Sequence, residues 1–172
     1  DRVFIYFSGH GDVEKTTVQQ FGFLVTYDTP KKMVMRNSLD VNHLNAYVST
    51  LSLKNKADVF LITDACRSGR INESQTIDYT YLAQTLGGKT ADEVRILSSQ
   101  SNQLSYEGAQ WGQGRGLFSY VLTNGLAGTA DADGDSIVTL YELSLYLMQE
   151  VPKMAKPNKQ TPIVMGPLDM AV

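Results

Sequence analysis

A lone cysteine and a histidine set between glycines are the residues of this chain best suited to covalent chemistry. Cys66 is the single cysteine in 172 residues. It falls within VFLITDACRSG, residues 59–69, where Val59 to Thr63 predict a short strand and Asp64 to Gly69 a turn of small and polar residues. His10 has the same layout, with Val3 to Phe7 predicting a strand and Ser8-Gly9-His10-Gly11 a turn. A thiol and an imidazole at matching strand ends are the parts of an activated nucleophile and its acid/base partner. Open α/β sheets place ligands at the carboxyl ends of their strands. Most lone cysteines are buried and structural; a position after the strand rather than within it argues against that for Cys66. The other histidine, His43, lies in an amphipathic helical segment and reads as a surface residue.

The segments between them must bring these two residues together. Val41, Leu44, Tyr47, Val48 and Leu51 recur at helical spacing after Ser38-Leu39-Asp40, a capping sequence. A helix there makes a crossover, which sets the His10 and Cys66 strands parallel and side by side. Residues 2–7 read as a strand covered on both faces, 12–20 as a loop, and 21–27 as a hairpin arm or edge strand. Residues 28–37 read as an exposed loop, and helices are expected ending near Leu86, over 117–126 and over 140–151. Further strands are expected over 94–99 and 163–165. Alternation of this kind predicts a three-layer α/β/α sandwich with a mostly parallel sheet.

Composition narrows the function classes. A net charge of −3 with 19% charged residues gives no basic patch for nucleic acid and no polybasic membrane anchor. No apolar run approaches the roughly 18 residues of a membrane span. One cysteine excludes an internal disulfide and a cysteine-rich zinc site. With 42% hydrophobic residues, 1–172 reads as one domain. It opens directly on a strand, so an upstream portion is expected to be missing.

Asp64-Ala65-Cys66-Arg67-Ser68-Gly69 with His10 upstream resembles the signature of the caspase and metacaspase group of cysteine peptidases. The likeness extends from Val3 to about Met165, through Gly116-Leu117-Phe118-Ser119 and Gln160-Thr161-Pro162. It implies a caspase-like fold lacking its first strand and helices, and a Cys66/His10 dyad that hydrolyses protein or peptide substrates. It also implies an oxyanion hole from the backbone N–H groups of Gly11 and Cys66. No cofactor is required for such chemistry. Caspases carry Gln where Asp64 stands, whereas metacaspases and their bacterial relatives carry Asp, which suits a basic P1 residue. The alternative for Asp64 is a turn-stabilising side chain. Ser99 to Glu107 resembles a metacaspase segment that supplies a second S1 acid, but Ser101 replaces that acid, leaving Asp64, Ser99 and Ser101 as the expected S1 residues. A basic P1 preference would make Arg70 and Lys89 candidate self-cleavage sites. The family includes dimers and monomers, so the resemblance leaves the oligomeric state open.

Two other motifs have competing readings. Asp131, Asp133, Asp135, Ile137 and Glu142 match positions 1, 3, 5, 7 and 12 of a calcium loop. Ser136 stands where the turn glycine belongs, and the same residues also read as an Asp-rich turn capping the next helix. Gly112-Gln-Gly114-Arg-Gly116 lacks the ending of a phosphate loop. Trp111 beside it reads either as a wall of the substrate groove or as packing. Against the peptidase reading stands an inactive caspase-like binding module, whose mark would be loss of Cys66 or His10; both are present.

Overall fold

The computed structural model describes residues 1–30, 33–67, 79–88 and 93–172, and for Cys66, Arg67 and Tyr79 it describes the backbone. Strand β4 (Asp58–Arg67) shows why the chain folds as layers. Its apolar run has no polar alternation, so both faces must be covered. Val59 and Leu61 lie in one buried cluster and Phe60 and Ile62 in the other. The sheet has six strands in the order β3-β2-β1-β4-β5-β6. These are β1 (Arg2–Lys15), β2 (Gln20–Val25), β3 (Leu39–Asp40), β4, β5 (Val94–Leu97) and β6 (Ile163–Met165). Helices α1 (Val41–Ser49) and α2 (Tyr79–Gly87) cover one face, while α3 (Leu117–Asn124) and α4 (Leu140–Ala155) cover the other. The expected α/β sandwich is present. Its sheet is mixed: β1, β4 and β5 are parallel at the centre, and β2 and β6 run antiparallel to their neighbours β1 and β5.

Both reactive strands outrun their predicted ends. β1 continues through Gly9-His10-Gly11 to Lys15 because residues 10–15 pair antiparallel with β2, closing a hairpin at Thr16–Gln19. β4 continues through Asp64-Ala65-Cys66-Arg67 because these pair with Ser8–Gly11 of β1. The small residues therefore form ladder rather than turn. β1 also departs from the expected two-faced burial: Val3, Ile5 and Phe7 pack on the α1/α2 side, while Phe4 and Tyr6 are half exposed. In α1, Asp40 caps as expected by accepting the Asn42 N–H at 2.7 Å. Val41, Leu44 and Val48 are buried, but Tyr47 falls off that stripe at 3.6 residues per turn and is exposed. Among the described residues no helix is long and apolar enough to cross a membrane.

A buried cation ties α1, α2 and β5 together. Arg95 and Glu93 both have fully buried side chains and meet at 3.0 Å. The Arg95 guanidinium also donates to the Asn45 carboxamide oxygen and the Leu86 carbonyl. Glu93→Ala would leave that guanidinium buried without its counter-ion, an expected loss of about 3–5 kcal/mol in urea unfolding. The exposed Lys153–Glu150 pair should cost under about 1 kcal/mol when broken.

Candidate active site

The site is built on the parallel pairing of β1 and β4, whose register sets Ser8 opposite Asp64, His10 opposite Cys66 and Gly11 opposite Arg67. Opposed positions in a parallel pair share a face of the sheet. Positions 8, 10, 64 and 66 follow the parity of Phe60 and Ile62, which is the α3/α4 side. The two residues singled out for chemistry thus occupy neighbouring backbone positions at the carboxyl end of this pairing, with His10 exposed. Arg70 and Lys89 lie outside the described residues. Gly11 is buried, and a Cβ there would run into the Leu82 side chain of α2. A side chain at position 11 would require the Leu82 methyl to move.

Asp64 is a buried carboxylate, 3% exposed. Its Oδ2 accepts a short hydrogen bond from the Ser119 hydroxyl of α3. Its Oδ1 has no partner among the described residues. Burial pushes its pKa up; hydrogen bonding by Ser119 and the nearby Ser98 hydroxyl opposes this, and the negative Glu107 adds to the rise. Gly116 makes room for the group, since a Cβ there would collide with Oδ2. Tyr6 reaches across from β1 to bond Ser119 Oγ at 2.6 Å. Tyr6, Ser98, Glu107, Gly116 and Ser119 were not singled out from sequence. The signal for them was present in part, in the Gly-Leu-Phe-Ser helix start and in the acid that ends the 99–107 segment.

Ser99 and Ser101 lie elsewhere. They line a small pocket with Thr63, Ala65, Leu82, Leu86 and Leu97, on the α2 side of the sheet. Asp64 has the opposite parity and bonds to α3. The structure does not bring Ser101 to Asp64; Ser99 connects only indirectly, its hydroxyl 3.4 Å from that of Ser105, which in turn bonds Ser98. Trp111 is buried in the α3/α4 core, so the packing reading holds for it. Gly112 and Gly114 have positive φ, which accounts for glycine there as turn geometry.

In the acidic loop, carboxylate oxygens of Asp131, Asp133 and Glu142 lie within 4.8 Å of one another, and Asp135 stands outside that group. These carboxylates are already engaged. Asp131 accepts from Gly134 and Ser136, Asp133 from Asp135, and Asp135 from Ile137. Glu142 accepts from the backbone of Ala132 and Thr139 and from the Thr139 hydroxyl. The Thr139 hydroxyl accepts the Glu142 N–H in return, completing a capping box on α4. The donor set would suit a hard cation, but one bound here would have to share oxygens with bonds already made.

A family model of the caspase domain matches residues 1–168. No curated protein matches the chain.

Three outcomes are expected. Asp64→Asn keeps an acceptor for Ser119 and removes an unpaired buried charge, so the melting temperature at pH 7 should rise. Because the folded pKa of Asp64 lies above its unfolded value, its cost is full above the folded pKa. The difference between variant and parent should therefore shrink as pH falls towards the ordinary carboxylate range. Glu142 has the opposite sign, its pKa being held down to about 2 by the Thr139 and Ala132 backbone N–H groups. Its stabilisation is present above its ordinary pKa and should fade as pH drops from about 4.5 to about 2. Thr139→Ala should cost about 1 kcal/mol in the same unfolding assay at neutral pH.

Proposed function

The chain belongs to the caspase family, whose members are typically cysteine peptidases, and from that premise we propose that it is a cysteine endopeptidase acting after basic P1 residues. The observation that carries the reading is the register of β1 on β4, which sets position 10 beside position 66, one interstrand spacing apart. In this proposal the Cys66 thiolate attacks the scissile carbonyl of a protein or peptide. By the family's pattern the developing oxyanion lies against the backbone at Gly11 and Cys66, which the ladder holds side by side. His10 protonates the leaving amine, and the thioester is then hydrolysed by a water that gives its proton to His10.

Asp64 supports the P1 assignment. Among the described residues its Oδ1 has no partner, and a buried carboxylate oxygen in that state is costly and rare. A basic P1 side chain would supply both the missing donor and the missing charge. The exposed Glu107 adds negative potential nearby and takes up, from a different position, the place the sequence left open at Ser101. No cofactor enters these steps, and calcium is proposed only for the loop of Asp131, Asp133 and Glu142.

The test is amide hydrolysis of fluorogenic peptides differing at P1, using Arg, Lys and Asp, with Cys66→Ala and His10→Ala as controls. Cleavage after the basic residues is expected, lost in both variants and unchanged by calcium or a chelator. Cleavage confined to P1 Asp would keep the peptidase and overturn the role of Asp64. No cleavage by folded protein would make the chain a binding module.

A further inference from the structure

We propose that Ser119 is a positioning residue that leaves Asp64 a single free oxygen, so that the site selects P1 lysine over P1 arginine. The inference rests on the endopeptidase reading and goes beyond it. A serine hydroxyl has one proton, and that of Ser119 is donated to Asp64 Oδ2. The Tyr6 hydroxyl, 2.6 Å away, must therefore be the donor to Ser119 Oγ. The result is a directed chain from Tyr6 through Ser119 to Asp64 in which each bond polarises the next. Gly116, at the start of α3, packs against the same oxygen, where a Cβ would collide with it. The carboxylate is thereby turned, with Oδ2 held by α3 and Oδ1 left buried without a partner among the described residues.

This geometry treats the two basic side chains differently. A guanidinium gains most when both oxygens of a carboxylate meet its fork, and it cannot adjust its planar donors to one acceptor without losing that gain. An ammonium is a compact charge with three rotatable donors, and one oxygen with a neighbouring hydroxyl satisfies it. Oδ1 supplies the first, and the Ser98 hydroxyl at the end of β5, which lies by Asp64 and bonds Ser105 Oγ, keeps a lone pair for the second. The groups facing Asp64 are Tyr6 from β1, Ser98 from the end of β5, Glu107 from the loop before α3, and Ser119 from α3 itself. His10 and Cys66 are the titratable groups at neighbouring ladder positions.

The experiment compares kcat/KM for two peptides identical except for P1 Lys or Arg, using the whole chain and its Ser119→Ala and Ser119→Thr variants. The parent should favour Lys by about fivefold or more, within the range one pocket contact can discriminate. Ser119→Ala removes the hydroxyl that holds Oδ2 and leaves the Ser119 backbone contact in place, so the carboxylate can turn and the ratio should move towards Arg by about tenfold. Loss of that donor should also shift the acid limb of kcat/KM to higher pH, because the bond favours the ionised carboxylate. Ser119→Thr keeps the hydroxyl and should keep the parental ratio and limb. A parent that prefers Arg, or a folded Ser119→Ala variant with the parental ratio, overturns the inference while leaving the peptidase intact. Cleavage of neither peptide by the parent overturns both.

Discussion

Everything in the site depends on one alignment, the parallel ladder in which Arg2–Gly11 of β1 lies against Asp58–Arg67 of β4. Side chains alternate faces with a period of two, so a slip by one residue would carry position 64 from the α3 side to the α2 side. The register is held from several directions. β4 buries Val59 and Leu61 under α1 and α2, and Phe60 and Ile62 under α3 and α4; a slip would exchange the two sets. β5 pairs with β4 from Phe60 to Thr63, and the β2 hairpin pairs with β1 from His10 to Lys15. Phe4 stacks on Phe60 at 4.6 Å, marking the same register in side chains. The ladder also sets Gly11 directly beneath α2, where a Cβ would displace the Leu82 methyl.

Two buried charges show how differently the fold treats structure and function. Arg95 is buried with its counter-ion Glu93, and its other donors meet Asn45 and Leu86. A charge so paired and hydrogen-bonded is tolerated, and here it joins two helices to the sheet. Asp64 is as deeply placed but is half satisfied, with one oxygen on Ser119 and the other on nothing described. A core optimised for stability alone would not keep that group. The contrast makes Asp64 the stronger functional candidate, on physical grounds that do not depend on its neighbour in sequence, Cys66.

The architecture was legible where burial writes a simple pattern. The parallel crossover, α1 and its Asp40 cap, α4 and β6 follow from apolar periodicity and turn chemistry, which are local. The strand ends were not legible, because Gly9 to Lys15 and Asp64 to Arg67 are strand only through partners distant in sequence. Glycine, aspartate and serine carry turn propensity, and a ladder hydrogen-bonded on its neighbours overrides it. The same holds for the site. His10 and Cys66 announce themselves by residue type. Ser119, Tyr6 and Ser98 are ordinary residues whose meaning comes from where α3 and β5 deliver them. Ser101 was expected at Asp64 from its place in a motif, yet strand parity and the course of the 99–103 segment put it on the other face.

The acidic loop is ambiguous for a different reason, which lies in the chemistry rather than in missing tertiary information. Positions 9 and 12 of a calcium loop are three residues apart, and so are the N-cap and N3 positions of a capping box. Thr139 and Glu142 satisfy both patterns at once, and the structure shows the second: Glu142 accepts the Thr139 N–H at 2.9 Å while Thr139 accepts in return. Asp131, at the first position, binds the backbone of Gly134 and Ser136, as an Asp-rich turn would. Folding such a loop back onto its outgoing helix needs a carboxylate near the N–H groups of that helix and acids that collect the turn's own N–H groups. The same acids form a cation-binding set whether or not a cation is ever bound. In a caspase-family chain the loop therefore has a sufficient structural explanation in the start of α4, and Leu140, Leu143, Leu147 and Val151 of that helix build the core behind Asp64 and Ser119.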